Sequence, residues 1–257
     1  MAELLRVEGL SKRFGGLSAV QNLGFSVEEG EIVGIIGPNG AGKTTILNLI
    51  SNVYAPNSGK ILYRGVNIVG SPSNRIAKMG LTRTFQSTVS YGKCTVWENI
   101  IRAQLGRVYS GLWSEFLMTS AVKEKRKIMT TKAESLLEFL GLEAMANVEA
   151  RSMPYGFQKL LGLAIALAGE PRLLMLDEPA AGLNQDESVR LMDSINKING
   201  NGITIMLVEH DMKVVMGLCH RILVINYGEM IATGTPSEVQ HNDDVIKAYL
   251  GEDHEYA

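Results

Sequence analysis

Apolar residues recur along this chain in two rhythms. In the first third, short runs are closed by glycine or charge: Leu4-Leu5-Arg6-Val7-Glu8-Gly9-Leu10, Leu23-Gly24-Phe25-Ser26-Val27 and Ile32-Val33-Gly34-Ile35-Ile36. Runs of this length predict strands. Lys60-Ile61-Leu62-Tyr63 and Val66-Asn67-Ile68 flank Arg64-Gly65, the layout of a hairpin. These pieces predict a small antiparallel sheet. From about Val89 to Met153 the period lengthens. Val96–Ala103 and Lys132–Leu140 carry apolar residues three and four apart and predict helices, while Val122-Lys123-Glu124-Lys125-Arg126-Lys127 between them reads as the solvated face of a helix. The apolar run Leu160 to Gly169 is helical as well. After Pro171 strands return in alternation with helices: strand Leu173–Leu176, helix Asp186–Ile198, strand Thr204–Val208, helix Met212–Leu218, strand Ile222–Ile225, strand Gly228–Thr233 and a closing helix Asp243–Leu250. That alternation predicts an α/β fold with a mainly parallel sheet. The polar tail Glu252–Ala257 is expected to fray.

One stretch carries chemistry at once. Gly37-Pro38-Asn39-Gly40-Ala41-Gly42-Lys43-Thr44-Thr45 has the G-x-x-x-x-G-K-[ST] spacing of a phosphate-binding loop, entered from the Ile32–Ile36 strand and leaving into a helix. Its glycines let the backbone curl so that successive N–H groups face phosphate oxygens, and the helix directs its positive end at the same charge. Lys43 is predicted to bridge the β- and γ-phosphates and the Thr44 hydroxyl to ligate Mg²⁺. The loop therefore predicts that the chain binds a nucleoside triphosphate.

Three further strand ends fit that site. Leu173–Leu176 delivers Asp177-Glu178, which suits Asp177 to hold Mg²⁺ through water and Glu178 to polarise the water attacking the γ-phosphate. His210, after the Thr204–Val208 strand, is placed to touch the γ-phosphate. Gln86, in Arg83-Thr84-Phe85-Gln86, ends another strand and can reach Mg²⁺ and the attacking water. Phe14, in Lys12-Arg13-Phe14-Gly15-Gly16 between the first two strands, either stacks on a purine ring or packs in the hairpin.

Charge and cysteine content narrow the setting. With 25 Lys+Arg against 27 Asp+Glu the formal net charge is −2, so no global basic field advertises nucleic acid or an anionic membrane surface. Cys94 and Cys219 are the two cysteines; they match no metal spacing and read as buried reduced thiols of a cytosolic protein. The N-terminus lacks the pattern of a signal peptide, and the longest helical apolar run falls short of the ~20 residues that span a bilayer.

In order and spacing, Lys43 within its loop, Gln86, Tyr155-Gly156, Leu173 to Glu178, Ala181-Gly182-Leu183-Asn184 and His210 resemble the Walker A, Q-loop, signature, Walker B, D-loop and switch-histidine series of ABC-transporter ATPases. Leu176 to Asn184, Glu209 to Met216, Gly234-Thr235-Pro236 and Val245 to Gly251 are most similar to the ATPases of bacterial branched-chain amino-acid importers, with importers of urea and short amides close by. The resemblance covers almost the whole chain. It implies a P-loop NTPase (RecA-like) core with a small antiparallel β subdomain and an inserted α-helical subdomain. The division would be 1–87 and 160–235 for the core, 88–159 for the helical part with the signature, and 236–257 for the C-terminal helix and tail.

The resemblance also implies a head-to-tail pair of ATPase subunits at the cytoplasmic face of the cell membrane. Two ATPs would lie between the phosphate loop of one subunit and the signature, here Tyr155 and Gly156, of the other. Transmembrane permease subunits would dock near Gln86 to Trp97, with a solute-binding protein serving the complex indirectly. Where the family commonly has Leu-Ser-Gly-Gly-Gln, this chain has Met153-Pro154-Tyr155-Gly156-Phe157, and Asn184 replaces the commoner Asp. Other classes fit less. DNA-repair and chromosomal ATPases of this type carry long coiled coils or zinc motifs, and the chain has neither. A small-molecule kinase would leave Asp177-Glu178 and His210 without a joint role.

Overall fold

The computed structural model describes residues 2–84, 91–108 and 120–250. Two long antiparallel strands open the chain, β1 (Glu3–Phe14) and β2 (Leu17–Glu28), joined by the two-residue turn Gly15-Gly16. Both exceed the expected lengths. Their register shifts at Val7/Leu10 and Leu10/Lys12, where Gly9 and Asn22 take positive φ, so the bulges break the alternation that marks a strand in sequence. Phe14 is accordingly the last residue of β1, paired with Leu17, and not a loop residue.

β3 (Ile32–Ile36) leads through the glycine-rich loop into α1 (Lys43–Ile50). β4 (Ser58–Tyr63) and β5 (Val66–Asn67) form the expected hairpin and complete a four-stranded sheet of order β2-β1-β4-β5. A short helix α2 (Ser73–Lys78) and strand β6 (Leu81–Arg83) follow, then α3 (Val96–Val108), α4 (Ser120–Leu140) and α5 (Tyr155–Ala168). Helix α4 unites the charged run with the Lys132–Leu140 segment, and residues 123–128 are exposed, so the charges do cover a wet face. Helix α5 is continuous across positions 159 and 160.

The C-terminal part contributes β7 (Leu173–Asp177), α6 (Gln185–Gly200), β8 (Thr204–Val208), α7 (Met212–Leu218), β9 (Arg221–Asn226), β10 (Glu229–Gly234), α8 (Pro236–Gln240) and α9 (Asp243–Leu250). The second sheet has order β10-β9-β3-β8-β7-β6 and is parallel except for β10. Every residue of β3, β7 and β8 is buried because both faces are covered. Val33, Ile35, Leu173, Met175, Met206 and Val208 pack towards α1 and the antiparallel sheet, while Ile32, Ile36, Leu174, Leu176, Ile205 and Leu207 pack towards the helices of the other core. Each such side chain contributes about 1.5–3 kcal/mol. Among the described residues no helix is long and apolar enough to cross a membrane. Cys219 is buried, which pushes its thiol up to about 12, whereas Cys94 is only half-buried, so the expectation of two buried thiols holds for one of them.

Parallel pairing of β8 with both β3 and β7 has one consequence for function. The carboxyl ends of all three strands fall on the same edge, where open α/β sheets bind ligands.

Candidate nucleotide site

At the end of β3 the loop is shaped by close approach. Gly37 has φ 151° and a Cβ there would lie 1.9 Å from the Ile225 carbonyl oxygen; Gly42 has φ 103° and its Cβ would lie 2.3 Å from the Ala19 carbonyl oxygen. Neither position admits a side chain. Gly40, at φ 77°, has open space around it. Pro38 is buried, whereas Asn39 and Gly40 are exposed at the crest, and Ala41 is pinned by its N–H to Pro38 and its carbonyl to Gly228 N–H. Lys43 turns back into the loop, its buried Nζ donating to the carbonyls of Gly37 at 2.6 Å and Pro38 at 2.8 Å. No side chain caps α1, so its first-turn N–H groups, from Lys43, Thr44 and Thr45, face the loop mouth, with Thr44 exposed. An uncapped helix start inside a glycine cradle fits a phosphate chain.

β7 delivers Asp177 and Glu178 as its spacing predicts. Asp177 Oδ2 pairs with Arg83 at 2.7 Å, with side-chain exposures of 3% and 6%. Arg83 also donates to Asn48 Oδ1 at 2.6 Å and Ser51 Oγ at 3.3 Å, tying β6 to α1. Asp177 Oδ1 is buried with no hydrogen-bond partner among the described residues. An orphaned acceptor of this kind suits a cation or its bound water. Glu178 has φ 47°, a left-handed conformation that costs a side-chain-bearing residue about 1–2 kcal/mol. Its N–H donates to Val208 and its carbonyl accepts from the buried Lys159 of α5 at 3.4 Å.

His210 stands in the loop after β8 with Nδ1 4.0 Å from Glu178 Oε1, its ring mostly in solvent. The strand ends thus bring His210, Glu178 and Asp177 together, beside the loop that follows β3. Gln86 lies outside the described residues. Phe14 is 41% exposed, stands edge-on to Tyr54 with centroids 5.3 Å apart, and has Lys12 Nζ 5.0 Å above its ring. It lies one hairpin turn from Ala19, whose carbonyl abuts Gly42.

Tyr155 and Gly156 begin α5, after the N-cap Pro154. Tyr155 is 45% exposed and packs over Gly182, where a Cβ would meet its ring at 3.1 Å. The Gly156 N–H donates to Glu187 Oε1 at 3.3 Å, while Glu187 Oε2 accepts from Asn184 N–H in the capping box of α6. Asn184 therefore acts as a helix cap, a task Asn performs as well as Asp.

Sequence reasoning missed Arg83, Lys159, Glu187 and Glu209. The last is almost fully buried beside His210 and accepts from the Ala180 N–H. The available signal for Glu209 was a charge directly after the apolar run of β8, which must find a partner when buried.

Because Arg83 and Asp177 are both buried, removing one strands the other. Arg83→Met is expected to lower unfolding stability by about 3–5 kcal/mol. A urea titration reads this as a reduced midpoint, and an unchanged midpoint would show that the pair is not a structural tie.

A six-stranded, mainly parallel sheet with a glycine cradle, a helix start and two carboxylates at one edge defines a nucleotide-hydrolysing cassette. The family model for ABC transporters matches residues 20–181, and that for branched-chain amino acid ATP-binding cassette transporters matches residues 229–255. The high-affinity branched-chain amino acid transport ATP-binding protein LivG of Salmonella typhimurium is 46% identical over 250 residues, covering 97% of this chain and 98% of that protein. The ADP conformation of MJ1267, an ATP-binding cassette of an ABC transporter, superimposes with TM-score 0.86 at 29% identity, covering 98% of this chain and 100% of that one. A dimeric post-hydrolysis state of the cassette MJ0796 bound to ADP and Pi gives TM-score 0.75 at 25% identity, covering 91% and 99%. The chain belongs to the ABC transporter ATP-binding family, and it is an ATPase.

Proposed function

We propose that this chain hydrolyses Mg-ATP to drive a membrane importer of branched-chain amino acids. The observation that carries the reading is the parallel register of β3, β8 and β7, which sets His210, Asp177 and Glu178 on the same sheet edge as the phosphate loop. The substrate class rests on the likeness to LivG across nearly the whole of both chains.

In this account the backbone from Gly37 to Thr45 wraps the phosphates, Lys43 meets the β- and γ-phosphates, and Phe14 offers its exposed ring to the base. The Thr44 hydroxyl, Asp177 and Gln86 would hold Mg²⁺, which when bound neutralises charge on the phosphate oxygens. The Glu178 carboxylate orients the attacking water and accepts its proton as ADP and phosphate form, and His210 donates to the γ-phosphate. Among the described residues, α3, α4 and the start of α5 would form the helical part that presents the signature.

A single loop covers one side of the γ-phosphate. A second ATPase subunit, identical or related, supplies the other side with the N–H groups at the start of its α5, around Tyr155 and Gly156. Glu187 keeps the Gly156 N–H bonded in the single chain. The paired cassettes would sit peripherally on the cytoplasmic face of the membrane against permease subunits, with a solute-binding protein delivering the cargo.

Gly156→Asp tests the pairing. A Cβ at 156 would lie 2.7 Å from Glu187 Oε1, and the new carboxylate adds like charge where phosphate must approach. The variant is expected to bind ATP within about two-fold of the parent yet fail to dimerise with Mg-ATP in sedimentation, since a misplaced like charge costs several kcal/mol at an interface. Retained dimerisation would remove Gly156 from the composite site.

A further inference from the structure

Glu209 is 1% exposed, and its two carboxylate oxygens serve two different strand ends. Oε1 accepts the Ala180 N–H at 2.7 Å, and Oε2 accepts the N–H of His210 at 3.1 Å. Burial raises the carboxyl above its ordinary range, and the N–H bonds from Ala180 and His210 oppose that rise.

The position of these bonds is informative. The β7–β8 ladder ends at the Asp177–Val208 pair, with one further bond from Glu178 N–H to the Val208 carbonyl. Beyond that point the two chains diverge into the Glu178–Ala180 turn and the Glu209–Asp211 loop. The Glu209 side chain then continues the cross-connection that the backbones no longer make. It clamps the residue two beyond Glu178 and the N–H of His210 itself. Glu178 holds a left-handed backbone that only surrounding constraints maintain.

We propose that Glu209 is a positioning residue for hydrolysis, its buried carboxylate setting the spacing of Glu178 and His210 by bridging the Ala180 and His210 backbones. The proposal rests on the reading of Glu178 and His210 given above. Since Glu209 touches neither phosphate nor water in that reading, its loss acts on turnover and leaves nucleotide affinity in place.

Two variants of the full-length chain test this. Glu209→Gln keeps the size but turns one acceptor oxygen into a donor, and Glu209→Met removes both acceptors at similar volume. With about a factor of ten for each charge-assisted N–H bond lost, turnover at saturating ATP is expected to fall about 10-fold in Gln and about 100-fold in Met. KM and the Kd of a fluorescent ATP analogue should stay within about two-fold, since no phosphate contact is removed. Turnover of both variants within two-fold of the parent overturns the proposal. So does a fall in turnover matched by an equal rise in Kd, which would mark general loosening. If Glu209→Met does not melt cooperatively, the Gln variant decides. Glu178→Gln measured alongside separates the two claims: if it turns over normally the underlying reading fails, and if it is inactive while both Glu209 variants are active, this inference alone fails.

Discussion

Glu178→Gln is expected to bind ATP as the parent chain does and to hydrolyse it at least about 100-fold more slowly, the usual contribution of a positioned general base. The amide has the size of the carboxylate and can still accept one hydrogen bond, so the nucleotide cradle is untouched. What it loses is basicity. The backbone at 178 should not relax, because its N–H is held by Val208, its carbonyl by Lys159, and the turn beyond it by Glu209. The change therefore isolates proton acceptance from geometry. Single-turnover hydrolysis with the ATP affinity measured in parallel gives the answer, and near-normal turnover with intact binding would take the role of base away from Glu178.

Lys43→Ala should act on the opposite quantity. The ammonium is already drawn into the loop by the Gly37 and Pro38 carbonyls, so little side-chain freedom remains to be frozen when phosphates arrive. Charge-assisted bonds from such a group are worth about 1.5–3 kcal/mol, and losing them predicts ATP affinity reduced by roughly 100-fold. AMP, which lacks the phosphates Lys43 meets, should bind the variant and the parent alike. Equal ATP affinity in the two proteins, read by titration calorimetry, would mean that the loop holds its ligand without this charge.

The phosphate loop and the Asp177-Glu178 strand end were legible because their physics is local. A short strand whose run is apolar throughout, Ile32–Ile36 or Leu173–Leu176, must be buried on both faces, and the polar or glycine-rich segment directly after it must lie at the sheet edge. His210 followed by the same logic from β8. The lengths of β1 and β2 were not legible, since the bulges at Gly9 and Asn22 interrupt the period on which a strand is recognised. Nor were the partners of buried charges. That Arg83 meets Asp177 depends on β6 lying beside β7, and that Glu209 reaches Ala180 depends on β8 lying on the other side. Strand order is a long-range property, and no period in the chain encodes it. The same holds for Tyr155, whose ring rests on Gly182 because α5 and α6 start side by side.

Sedimentation of the Glu178→Gln chain with and without Mg-ATP, alone and mixed with a partner ATPase chain of the same transporter, tests the central claim most directly. A cassette that closes on ATP and cannot hydrolyse it should accumulate as a nucleotide-bound pair. The account predicts a shift from monomer to dimer that requires Mg-ATP and disappears in the Gly156→Asp background. A chain that binds Mg-ATP yet sediments as a monomer, both alone and with the partner present, would contradict it.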